Sequence, residues 1–219
     1  CLPNDLEGGR ITVEEYLPHV GYFDREGKLT DTFFDSFLYL PYTAFNYSDN
    51  AKSLDGWKFY IENQFTADRN VDALNTAVGQ VKEELGLDDY TVSVFFSILY
   101  TFTESTSFGD IDGDGVVENF TKIEDRKKAI KWLIDTQLAL FRSRNYQYSE
   151  LCGFYWFEES ILISDRDEKE MLQWTTDYVR SLGYKTIWIP YYRASGYNKW
   201  WEYGVDYACM PVSYTHLRA

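Results

Sequence analysis

Four runs along the chain are apolar or aromatic with little polar alternation: 33–42 (FFDSFLYLPY), 90–102 (YTVSVFFSILYTF), 151–157 (LCGFYWF) and 185–192 (KTIWIPYY). Successive side chains of a strand point to opposite faces, so a strand with one wet face alternates apolar and polar residues. Runs apolar on both faces are covered on both, which is the pattern of a parallel sheet. A shorter run, 205–211 (VDYACMP), reads the same way, and CLPNDLEGG at the start reads as the end of a truncated strand followed by a loop.

The segments between these runs carry helical spacing. Val71, Leu74, Val78, Val81 and Leu85 recur at three and four residues, and Gly86 then closes that helix. Thr12 with Glu15 has the form of a capping box and starts a short helix over TVEEYLPHV. WKFYIENQF, EDRKKAIKWLIDTQLALFRSRNY, DEKEMLQWTTDYVRSLG and a short GYNKWWEYG complete the helical set. Strand and helix therefore alternate, which predicts an α/β fold with a parallel sheet.

A doubly wound sheet that binds nucleotides needs a glycine-rich phosphate turn after an early strand, and this chain has none. A (β/α)8 barrel instead ends its strands in charged and aromatic groups around a site, as YLPY, ILYTF, YWFEE and IPYY do here. The expected fold is an incomplete (β/α)8 TIM-type barrel with parallel strands and outer helices. It would form one domain over 1–211 that lacks most of the first strand and the last strands, and would be inactive as such a fragment.

Composition narrows the partners. The net charge of −14 repels nucleic-acid backbones and anionic lipid surfaces, so neither is an expected partner. No apolar stretch is long enough to span a membrane. Cys1, Cys152 and Cys209 fit neither a zinc ribbon nor a disulfide framework, and the last two read as small buried hydrophobes. Aromatic residues make up 19% of the chain, led by tyrosine. Rings with an apolar face and a polar tip suit sugars, whose C–H faces stack while their hydroxyls hydrogen-bond outward.

Three groups of residues carry candidate chemistry. Glu158 and Glu159 close the run LCGFYWFEES, at a strand end where a barrel builds its site. Only one of two neighbours on a strand can face inward. Glu159 shares the parity of Tyr155 and Phe157, but the pattern does not say which parity faces in. A carboxyl among rings has its pKa raised by desolvation, as a general acid requires. In GDIDGDGVVENF, Asp110, Asp112 and Asp114 alternate before Gly115, as in the first half of an EF-hand calcium loop, with the Val116 carbonyl and Glu118 following. The twelfth position is Thr121 in place of the bidentate glutamate, a departure for which Glu124 or Asp125 is the available substitute; three carboxylates within five residues repel one another unless a cation neutralises them, so calcium is expected, in a structural role. Tyr42, Tyr100, Trp156, Trp188, Tyr191 and Tyr192 sit at strand ends as sugar platforms or as ordinary packing. His19, beside Pro18, reads as a structural residue.

The stretches LPHVGYFDREGKLTDTFFDSFLYLPY, FGDIDGDGVVENF, LCGFYWFEESI, SLGYKTIWIPYY and GYNKWWEYGVDYACMP together resemble a bacterial family catalogued as domain of unknown function 4855, over about 15–212. The resemblance implies a secreted or cell-surface protein with a glycoside-hydrolase-like barrel. It also implies that GFYWFEES matches the fourth strand of such barrels, with Glu159 ahead of Glu158 as acid/base and polysaccharide as substrate. The other reading is a non-catalytic module that binds cell-surface glycan, or a surface-layer domain. Residues 212–219 (VSYTHLRA) resemble translated sequencing adaptor and are expected to be a non-native tail.

Overall fold

The computed structural model describes residues 2–3, 9–41, 49–161, 166–191 and 193–210. Its centre is a parallel sheet made of β1 (Leu2–Pro3), β4 (Ser36–Leu40), β5 (Val92–Ile98), β6 (Ser149–Trp156), β7 (Lys185–Trp188) and β8 (Tyr207–Ala208). Each strand lies beside the one before it in the chain, so the order never reverses among the described residues. A separate antiparallel hairpin joins β2 (Gly21–Phe23) to β3 (Leu29–Thr32). The fold is thus α/β with a parallel sheet, as the unalternated runs predict.

The helices are α1 (Val13–Val20), α2 (Leu54–Gln64), α3 (Val71–Leu85), α4 (Ile123–Arg144) and α5 (Arg166–Ser181). α1 begins at the expected capping box: the Glu15 N–H donates to the Thr12 hydroxyl, and the Thr12 N–H donates to the Glu15 carboxylate. α3 ends at Gly86, whose φ of +66° closes the last turn in the left-handed region that glycine enters without strain. None of the described helices is long and apolar enough to cross a membrane.

The sheet has one face on the helices. Tyr39, Phe96 and Phe154 are level with one another across three strands and fully buried. Phe96 meets the rings of Phe65, just past α2, and Phe141, on α4, while Phe154 meets Tyr184. Burying a side chain of this size contributes roughly 1.5–3 kcal/mol. Leu38, Phe95 and Ile187 have the opposite parity and are only partly buried, so the second face is less fully covered there, while Ser97 and Tyr155 on the same face are buried. Right-handed crossovers between sequential parallel strands put their helices on one side, consistent with this asymmetry.

Several expectations shift in detail. The run 33–42 contributes a strand only over Ser36–Leu40, and Phe33 and Phe34 lie exposed beside the unanticipated hairpin, their rings 4.3 Å apart. The helix expected over 196–204 is a 3-10 turn, Trp200–Tyr203. Cys152 is half-buried and Cys209 exposed, where the apolar runs around them predict burial. The cause at Cys152 is a bulge: Val94 pairs with Leu151 and Phe95 with Gly153, which leaves Cys152 as the extra residue. Tyr42, Tyr192, Cys1 and the tail lie outside the described residues.

Gly153 is the tightest point of this sheet. A β-carbon there would lie 2.1 Å from the Lys185 carbonyl oxygen of β7, a backbone atom that cannot swing aside. Gly153→Ala should therefore cost more than about 2 kcal/mol, read as a lower denaturant midpoint at unchanged slope. An unchanged midpoint would contradict the pairing of β6 with β7.

Candidate functional site

All six strands point the same way, so the residues that follow them gather along one edge of the sheet: Leu99–Phe102 after β5, Phe157–Glu159 after β6 and Ile189–Tyr191 after β7. Ligands of parallel α/β folds bind at this carboxyl edge. β6, which carries the glutamate doublet, is the fourth strand in sheet order.

The doublet's main chain is stitched to the next strand and its loop. The Trp188 indole N–H donates to the Glu158 carbonyl at 2.7 Å, and the Tyr191 N–H donates to the Glu159 carbonyl at 3.2 Å. The two side chains differ. Glu159 is exposed, and partial burial alone raises its pKa. Glu158 is half-buried, and its carboxyl is pushed above the usual range first by desolvation, then by the charge of Glu168, with a smaller push from Glu159; the Ser160 N–H pulls the other way.

Glu168 is not among the residues that the sequence singles out. It stands in the first turn of α5, is 5% exposed, and accepts a hydrogen bond from the Tyr100 hydroxyl at the end of β5. In sequence it reads as an ordinary acid opening a helix, where a carboxylate complements the helix dipole. Only the tertiary fold brings its charge to bear on Glu158. Arg126, also unanticipated, is buried in the first turn of α4 and donates through Nε to the Thr101 hydroxyl at 2.9 Å. Burial raises the Tyr100 hydroxyl above the normal tyrosine range, and the Glu168 carboxylate adds to this. Tyr155 is raised by burial and then by the charges of Glu159 and Glu158.

Of the rings expected to be sugar platforms, Tyr191 is 39% exposed and Tyr100 is half-buried. Trp156 and Trp188 are packed into the core, because their parity is that of Phe154, on the helix side. The Trp156 indole N–H has no hydrogen-bond partner among the described residues, two positions before Glu158. His19 bonds the Glu15 carbonyl within α1.

The Asp loop lies between β5 and α4. One oxygen from each of Asp110, Asp112 and Asp114 falls within 4.8 Å of the others. The Asp110 carboxylate accepts the N–H groups of Gly113 and Gly115 at 2.7 and 2.9 Å, and both glycines have positive φ, which the tight turn requires. Val116 is exposed. Glu118 is instead buried beneath the loop, where it accepts from the Ile111 N–H and pairs with Lys128. Lys128 also pairs with Asp112 at 2.8 Å and so offsets part of the loop's negative charge. Phe108 and Phe120 stack below, both against Trp57 of α2, which fixes the loop to the domain.

The model of a family described as Domain of unknown function (DUF4855) matches residues 5–218. The matched stretch includes 212–218, expected from the sequence to be a non-native tail. No curated protein and no solved structure matches the chain.

The raised carboxyl has a consequence for stability. A carboxyl whose folded pKa lies above its unfolded value favours the fold below the unfolded value, and that contribution is lost as pH rises through the folded one. Ionising Glu158 therefore opposes folding, and Glu158→Gln should raise Tm at neutral pH. The gain should fade as pH falls below the ordinary glutamate pKa of about 4.3, where the wild-type carboxyl becomes protonated in both states. Equal melting curves across this range would contradict the placement of Glu158.

Proposed function

The chain belongs to the family described as Domain of unknown function (DUF4855), and we propose that it works as part of a glycoside-hydrolase-like (β/α)8 barrel on a polysaccharide outside the cell or at its surface. The observation that carries this reading is a half-buried carboxyl, Glu158, which burial pushes above the usual carboxylate range, just past the end of the fourth strand of a sequentially ordered parallel sheet. The barrel reading draws on the same order: a doubly wound sheet reverses, and this one does not among the described residues. The less covered second face, with Leu38, Phe95 and Ile187, suits the inner side of a curved sheet.

In this reading protonated Glu158 gives its proton to the glycosidic oxygen as the C–O bond breaks, and the bonding electrons leave with that oxygen. A second carboxylate attacks the sugar or activates water, and its distance from Glu158 sets the stereochemical outcome. The family resemblance favours Glu159 as the acid; burial favours Glu158, because desolvation and then the charge of Glu168 push its carboxyl up. Tyr191, next to Glu159, offers a ring on which a sugar can stack. A second reading, a module that binds glycan without cleaving it, is favoured by the exposed rings Tyr191 and Trp201 in the loop after β7.

The Asp loop is proposed to hold calcium through Asp110, Asp112, Asp114 and the Val116 carbonyl. The converged carboxylates fit a hard, oxygen-seeking cation. Glu118 would support the loop from beneath, on Lys128 and Ile111. An ion bound by the native state alone raises Tm, so calcium should raise the melting temperature and a chelator should lower it. Identical melts would remove calcium from the account.

The functional test is release of reducing ends from a panel of polysaccharides by the full-length protein, its Glu158→Gln variant and its Glu159→Gln variant. Glu158→Gln should lower turnover by about 10²–10⁴-fold, and Glu159→Gln by less. Full turnover in Glu158→Gln would remove that residue from the mechanism. Glycan binding without product from any of the three would favour the binding module.

A further inference from the structure

The buried face of α4 carries one charge. Ile130, Leu133, Ile134 and Phe141 lie on that face, and its polar member, Gln137, is bonded to Gln64 of α2 at 2.9 Å. Arg126 opens the same face and is 2% exposed. Helical spacing at such a position calls for an apolar side chain. The guanidinium makes one hydrogen bond, from Nε to the Thr101 hydroxyl at 2.9 Å. Its two Nη nitrogens have no hydrogen bond or ion pair among the described residues. The acids nearest in sequence are spent elsewhere: Glu124 pairs with Lys127 at 2.9 Å, and Asp125 accepts the Asn119 N–H at 2.8 Å. Neither Nη is among the fully enclosed polar atoms that lack a partner, so the end of the fork reaches water while the stem is sealed.

This is a poor place for a cation that only packs. Burying a charge without a partner is costly, and the first turn of a helix is the positive end of its dipole. The same two features strengthen the attraction for an anion brought to the spot. The place is also the right one for a ligand: Thr101 leaves β5 three residues after its last residue, so the guanidinium lies at the carboxyl edge of the sheet. We propose that Arg126 is an anion-binding residue of that edge, and that the sugar chain it takes carries carboxylates, as a uronic-acid polysaccharide does. This rests on the reading that the edge meets a sugar chain. With Nε held by Thr101, the Nη pair offers two donors at the spacing of two carboxylate oxygens. A sulfate ester offers similar oxygens, and the test separates the two. The net charge of −14 repels polyanions at long range, so a preference for a charged chain has to come from a local cation.

The test measures, by calorimetry, binding of an oligogalacturonate, its neutral methyl ester and a sulfated oligosaccharide of the same length. The wild type should bind the oligogalacturonate about tenfold more tightly than the ester. In Arg126→Met, which suits the apolar face, that preference should vanish while the ester still binds. Arg126→Lys keeps the charge and loses the fork, so it should keep only part of the preference. Removing an unpaired buried cation should also raise the melting temperature of Arg126→Met; a lower one would show a guanidinium held for stability and overturn the proposal. Equal wild-type affinities for the charged and neutral chains would overturn it whether or not the variants fold, and so would a preference that survives in Arg126→Met. Tighter binding of the sulfated chain than of the oligogalacturonate would overturn the uronic-acid assignment. Failure of the sugar reading looks different: no chain binds, yet sodium sulfate raises the melting temperature of the wild type more than that of Arg126→Met, which would leave an anion site and no sugar.

Discussion

The pairing of β5 with β6 is the constraint on which the rest of the molecule depends. The two strands are level from Val92 and Ser149 to Ile98 and Trp156, with one bulge on the way. Parallel pairing sets both chains leaving the sheet at the same edge. It brings the segments that carry Tyr100 and Glu158 out at that edge, and it sends Phe96 and Phe154 together into the helices. A slip of one residue would exchange the two faces of β6 and turn Phe154 away from the Tyr184 ring that it meets. The bulge at Cys152 and the lack of a β-carbon at Gly153 hold this register, since only glycine fits against the Lys185 carbonyl.

Much of this architecture was legible in the sequence. Unalternated apolar runs specify strands covered on both faces, and 90–102 and 151–157 became the two long central strands. The Thr12 capping box and the Gly86 stop needed no tertiary information, because each is satisfied within its own turn. The hairpin at Gly21–Thr32 was not visible: its strands, GYF and LTDT, are too short and too polar to read as strands, and Phe33 and Phe34 next to them mimic a buried run.

The site divided along the same line. That a glutamate pair follows the apolar run 151–157 could be read directly, and so could the three alternating aspartates; the fourth-strand position came from the family resemblance. Which glutamate is enclosed could not, because the β parity ends where the strand does, at Trp156, and the chain bends at Glu159. Glu168 and Arg126 lay hidden for a different reason. Each opens a long amphipathic helix, where charged residues are ordinary, and their burial arises only when α4 and α5 dock on the sheet edge. Trp156 and Trp188 stood out as rings at strand ends, yet their parity commits them to packing, and Trp188 serves the site through its N–H on the Glu158 carbonyl.

The central claim is that the carboxyl edge of the sheet, around Glu158, is where this protein meets a sugar chain. Its most direct test is amide and side-chain shift mapping as neutral oligosaccharides are added. The account predicts changes centred on Tyr100, Glu158, Glu159 and Tyr191. Changes confined to the aromatic patch of Tyr22, Phe33 and Phe34 on the hairpin, with the strand ends unmoved, would contradict it.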